Sequence, residues 1–105
     1  MNFNKLAQDL EIEEEDYLEL LKLFIDTGFS DLSELSAAVE AGDRDKVVNA
    51  AHSLKGAAGS LGLRDFYDTA KKVELEARED RLDSISKDIQ LLNRSLEVYL
   101  NAMRE

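Results

Sequence analysis

A chain of 105 residues is long enough for one hydrophobic core and too short for two. Apolar residues make up 44% and charged residues 34%, which fits a soluble globular domain and excludes a disordered chain. The formal net charge of −10, from 23 acidic and 13 basic residues, disfavours nucleic acid and anionic lipid as partners and otherwise reads as solubility.

Proline is absent, so the commonest helix breaker is missing, and Leu, Ala, Glu, Lys and Asp outweigh β-branched residues. Cysteine is absent too, which excludes disulfides and thiolate zinc sites. No apolar run approaches the roughly 18 residues of a membrane span. The N-terminus lacks the charged-then-apolar pattern of a signal peptide, and a cytoplasmic location is expected.

The lead-in Phe3 to Leu10 predicts a short helix with Phe3, Leu6 and Leu10 on one side. The acidic run Glu11 to Asp16 then suits a helix N-terminus. Leu18, Leu21, Ile25, Gly28, Leu32, Leu35 and Val39 step by three and four and predict the longest helix. Gly28 allows for a break there, since glycine costs about 1 kcal/mol against alanine in a helix. Ala41-Gly42 is a stop signal, and Asp43 is the expected N-cap of the next helix. That helix has the stripe Val47, Ala51, Leu54, Ala58, Leu61 and ends at Gly62. Leu63, Phe66, Ala70, Val73 and Ala77 mark another helix, fading in Glu79-Asp80-Arg81. Asp83 or Ser84 opens the last helix, with Ile85, Ile89, Leu92, Leu96, Tyr99 and Met103 inward.

One-sided stripes joined by short loops predict an all-α fold, an antiparallel four-helix bundle behind a short N-terminal helix, as a single domain over 1–105. A monomer is expected. A chain that opens on Met1 and closes soon after its last helix is expected to be a free-standing module.

The chain's one histidine, His52, is the candidate reactive group. With Val47 at zero on a helical wheel, the core stripe lies within about 40° and His52 falls at about 140°. His52 is therefore off the core. Lys55, Gly56 and Gly59 share its face at i+3, i+4 and i+7. Two helix-interior glycines each cost roughly 0.5–1 kcal/mol against alanine. Read functionally, they clear a shallow patch around the imidazole for a partner's approach; otherwise they mark a helix break. Val48, at about 100° on the same wheel, offers an apolar contact for docking.

Neutral imidazole is nucleophilic near pH 7 and accepts a phosphoryl group well. Lys55 brings a positive charge one turn away, able to support phosphoryl oxygens or simply to face water. Counting equally far past the Gly62-Leu63 turn reaches Val73 or Glu74. Val73 belongs to the core, so Glu74 is the candidate acceptor for the imidazole N–H; the alternative is a surface glutamate paired with Lys71 or Arg78. No glycine-rich nucleotide loop and no metal cluster is apparent. One histidine without a serine, cysteine or metal constellation does not build a hydrolase.

The run Ala51-His52-Ser53-Leu54-Lys55-Gly56-Ala57-Ala58-Gly59-Ser60-Leu61-Gly62 resembles the signature of the histidine-containing phosphotransfer (HPt) family. Its pattern is His, any residue, apolar, Lys, Gly, then a glycine six positions on. The resemblance implies a phosphocarrier in a two-component phosphorelay, not an enzyme. It implies phosphorylation of His52 in exchange with an aspartate of a response-regulator receiver domain, or by a histidine kinase. Lys55 would support the phosphoryl group, Gly56 would give the receiver clearance, and Glu74 would orient the imidazole. No cofactor is expected in this chain, and Mg²⁺ is expected on the receiver. A glutamate at Glu74 is similar to chemotaxis-type kinases, whereas several phosphorelay members carry glutamine. Two alternatives stay open: the phosphoacceptor domain of such a kinase, and a helical interaction module that is never phosphorylated.

Overall fold

The computed structural model describes residues 1–104. Five α-helices follow one another: α1 (Phe3–Asp9), α2 (Glu14–Glu40), α3 (Arg44–Ser60), α4 (Arg64–Arg78) and α5 (Ile85–Met103), with a 3₁₀ turn (Leu82–Ser84) before the last. No strand occurs among the described residues. Helices α2 to α5 form the bundle, each packed on its neighbours in chain order, with α5 closing the ring against α2. Helix α1 lies against α2, its Phe3 ring 6.4 Å from that of Tyr17. At 1.5 Å per residue α2 spans about 40 Å, matching the 41 Å long axis of the molecule.

The turns explain the antiparallel course. Each of α1 to α4 ends in a residue of left-handed conformation: Glu11 (φ 58°), Gly42 (φ 68°), Gly62 (φ 72°) and Asp80 (φ 61°). The amide two residues past the last cap then bonds back into the final helical turn: Ile12 to Ala7 (3.1 Å), Asp43 to Ala38 (2.9 Å), Leu63 to Ala58 (3.0 Å) and Arg81 to Glu76 (2.9 Å). The chain reverses at once and the orphan carbonyls are satisfied. Glycine makes this conformation easy at Gly42 and Gly62. Glu11 and Asp80 adopt it without that help. Asp43 caps α3 as expected, its side chain accepting from the Lys46 amide at 3.2 Å.

The core holds the predicted stripes and more. Leu21, Ile25, Leu32, Leu35, Val47, Leu54, Phe66, Val73, Ile85, Leu92 and Leu96 are buried. Tyr17, Phe24 and Ala38 are buried as well, outside the predicted α2 stripe, while Leu18, Val39 and Met103 are only half-buried. Phe24 and Phe66 meet edge to face across the bundle, centroids 5.0 Å apart. The Tyr17 hydroxyl donates to the Leu61 carbonyl at 2.7 Å, which ties α2 to the α3–α4 turn. Burial, then the nearby Tyr99, pushes the Tyr17 hydroxyl up to about 12.

Helix α2 does not break at Gly28. The glycine is a contact: a Cβ there would lie 3.0 and 3.3 Å from the two terminal methyls of Leu96, itself fully buried. The missing side chain lets α5 approach. Gly28→Val should therefore destabilise by about 1–3 kcal/mol through overpacking, read as a lower melting temperature.

The α4–α5 corner carries a polar cluster that the periodicity did not reveal. Lys72 donates to both oxygens of the buried Asp88 at 3.2 Å and lies 3.3 Å from Glu76. Ser84 donates its hydroxyl to Glu76 instead of capping α5. Two buried carboxylates are thereby satisfied.

Candidate functional site

His52 sits in the middle of α3 with its side chain 66% exposed. The core is filled by its neighbours Ala51 and Leu54, which leaves the ring on the flank facing α4. Its Nδ1 lies 2.8 Å from Glu74 Oε2. Glu74 is not a surface glutamate, because its side chain is only 5% exposed. The equal count past the turn thus lands on the residue that meets the imidazole, because α3 and α4 pack closely and reverse abruptly at Gly62.

Three donors converge on the two oxygens of Glu74. Lys55 Nζ donates to Oε1 at 2.7 Å, while His52 Nδ1 and Arg78 Nη2 share Oε2 at 2.8 and 3.1 Å. Burial by itself raises the Glu74 carboxyl, but the hydrogen bonds from Lys55, Arg78 and His52 outweigh it and hold the group at about 2. Glu74 is therefore an anion at neutral pH and can only accept. That assigns the proton between it and the ring to Nδ1, so a neutral His52 has its free lone pair on Nε2.

The remaining signature residues divide by what surrounds them. A Cβ at Gly56 would meet nothing within 4 Å, so this glycine is bare toward solvent. A Cβ at Gly59 would meet the Tyr67 ring at 3.2 and 3.4 Å, so this glycine admits an aromatic ring of α4. Val48 is half-buried and packs on the core edge. Lys55 is committed to Glu74 and not free over the ring. Arg78 enters the sequence reading only as a rival partner of Glu74, yet it shares the oxygen that holds His52. The signal for it is the i,i+4 spacing Glu74–Arg78. No group of three or more His, Cys, Asp or Glu side chains suited to a metal ion occurs among the described residues.

This constellation is a nucleophilic nitrogen on an exposed helix face, a buried anion fixing its tautomer, and a lysine one turn away. A family model described as "Hpt domain" matches residues 19–104. The chain belongs to the Hpt domain family. Among solved structures, this Hpt chain is similar to the crystal structure of histidine-containing phosphotransfer protein B (HptB) from Pseudomonas aeruginosa PAO1. The two share 25% identity over 90% of this chain and 88% of that one, with a TM-score of 0.68. A search of curated proteins gave no match. The Hpt module is a histidine phosphotransfer domain of phosphorelay signalling. No helix among the described residues is long and apolar enough to cross a membrane.

Proposed function

We propose that His52 Nε2 is the phosphoryl-carrying atom, exchanging the group with the aspartate of a response-regulator receiver domain. The observation that carries this is the 2.8 Å contact between His52 Nδ1 and an anionic, buried Glu74. In the forward step the Nε2 lone pair attacks the phosphorus of an aspartyl phosphate in line. The N–P bond forms as the P–O bond to the aspartyl oxygen breaks, and aspartate leaves as a carboxylate. The Nδ1 proton stays where it is, and Glu74 stabilises the positive charge gained by the ring. The reverse step uses the same atoms. Positioning and charge neutralisation supply most of the acceleration in such transfers.

The chain is a carrier and not a catalyst on this reading. Mg²⁺ and the acidic pocket that holds it belong to the receiver, the domain acts as a monomer, and it works in the cytoplasm beside its partners. A kinase ATP-binding domain is a second donor, favoured by a glutamate rather than a glutamine at the ring. The test mixes the protein with a phosphorylated receiver domain, or with a kinase core and ATP. Acid-labile, alkali-stable label on the protein supports the reading, and the donor that works separates the two versions. A folded protein that takes label from none of several donors would leave a plain helical interaction module as the better account.

Gly56 supplies a prediction with two readouts. A Cβ there meets nothing within 4 Å on this exposed face, and the helix gains roughly 0.5–1 kcal/mol over glycine. Gly56→Leu should therefore melt no lower than wild type. Transfer from a receiver should fall about 10- to 100-fold, because the side chain displaces the incoming phosphorus from line. Labelling by the small donor phosphoramidate should persist.

A further inference from the structure

The three donors on Glu74 are unequal in what they can do once the ring is loaded. Among the described residues Lys55 is the sole partner of Oε1, at 2.7 Å. It is also a cation one turn from His52 on the same helix, a spacing that lets it turn toward a phosphoryl group on Nε2. Any turn of Lys55 toward that group takes it away from Oε1. Glu74 is too buried to be compensated by water, with its side chain 5% exposed. The His52 hydrogen bond lies on Oε2, the oxygen that Arg78 shares. What stays is Arg78, anchored on the carboxylate at 3.1 Å from Glu74's own helix, one turn on.

We infer that Arg78 is a positioning residue: it keeps Glu74 neutralised while Lys55 turns from the carboxylate to the phosphoryl group. This deepens the proposed function and rests on it. The two cationic positions are then linked. Before phosphorylation Lys55 and Arg78 both hold Glu74. Afterwards, of these two, Arg78 alone stays on the carboxylate, beside the retained His52 Nδ1–H, and Lys55 offsets the charge gained at Nε2. Arg78 is suited to this because its charge is permanent and its side chain is 56% exposed, so it can follow the carboxylate without disturbing the core.

The test is a cycle between Arg78 and Lys55, with potassium phosphoramidate as donor. The protein is equilibrated with the donor at a fixed ratio of phosphoramidate to ammonia. The ratio of phosphohistidine to histidine is read by ³¹P NMR, with a thermal melt of each variant as the control for folding. Arg78→Gln should lower that ratio about three- to tenfold in the wild-type background, the range of coupling expected within one ion-pair network. In a Lys55→Met background, where no lysine has to leave Glu74, the same change should matter by less than about twofold. Arg78→Lys keeps the charge at a favourable i,i+4 spacing and should stay within about twofold of wild type. An equal loss in both backgrounds, no loss in either, or a failure of Arg78→Lys to restore the ratio would overturn the inference while the phosphocarrier reading stood. A wild-type protein that takes no phosphoryl group at His52 would remove both.

Discussion

His52→Gln should abolish phosphoryl transfer and leave the domain folded. The loss is complete because the chain holds no second histidine to take over. The fold survives because the ring is 66% exposed and contributes nothing to the core. The variant still leaves Glu74 with Lys55 and Arg78 as partners, so no buried charge is stranded. A melting curve should move by no more than about 1 kcal/mol in stability, the usual range for a surface change that spares such features. Receiver-dependent labelling and circular dichroism, measured on the same preparation, check both halves. A labelled variant would place the phosphoryl group on another side chain.

Glu74→Ala should slow transfer about 10- to 100-fold, the typical cost of removing the group that orients a reactive imidazole. Without the anion the ring is free to carry its proton on Nε2, the nitrogen that has to attack, and to rotate off the α3–α4 flank. Transfer rates from a phosphorylated receiver measure this directly, and ¹⁵N chemical shifts of the ring report the tautomer. The same variant should lose about 1–3 kcal/mol of stability at pH 7, since Lys55 and Arg78 lose a charged acceptor. Its acid behaviour has a definite sign. Glu74 is held at about 2 in the folded protein against an ordinary 4.5, so the unfolded chain binds the extra proton between those values. The contribution is complete above about pH 4.5 and is lost as pH falls toward 2. The stability gap between wild type and Glu74→Ala should therefore narrow across that window. Glu76, also lowered, chiefly by the Ser84 hydroxyl, titrates in both proteins and cancels in the difference.

The helices were legible because a bundle forces each of them to show one apolar face at a period near 3.6. The stripes of α3 and α4 match the buried apolar residues position by position, and Gly42 and Gly62 mark their turns. The long helix was read less completely. A single row misses Tyr17, Phe24 and Ala38 on its flank, because α2 packs against α1, α3 and α5 at once and buries a broader strip. Gly28 looked like a weak point because the methyls that need its empty space belong to Leu96, 68 residues further on. Helix α5 opens at Ser84 as read, but the Ser84 hydroxyl bonds Glu76 across the corner instead of capping the helix, a partner set by the register of two helices and not by local sequence.

The site divides in the same way. His52, Lys55 and Gly56 share one face of one helix, so the wheel finds them. Glu74 comes from another helix, but a tight turn with equal arms makes its height countable. Three features needed coordinates. One is the burial of Glu74, another is the sharing of its Oε2 between His52 and Arg78, and the last is the engagement of Lys55 with Oε1. Gly59 shows the limit of face-sharing as a guide: it lies on the histidine's face of the wheel, yet what its missing side chain admits is Tyr67.

The most direct measurement uses the fact that one histidine makes every histidine signal unambiguous. The protein carries ¹⁵N-labelled histidine, is phosphorylated by a receiver domain, and is examined by NMR for ¹⁵N–³¹P coupling. The account predicts a single N–P bond at Nε2 of His52, with the proton still on Nδ1 toward Glu74. Phosphorus on Nδ1, or phosphorylated protein with no N–P coupling at all, would contradict it.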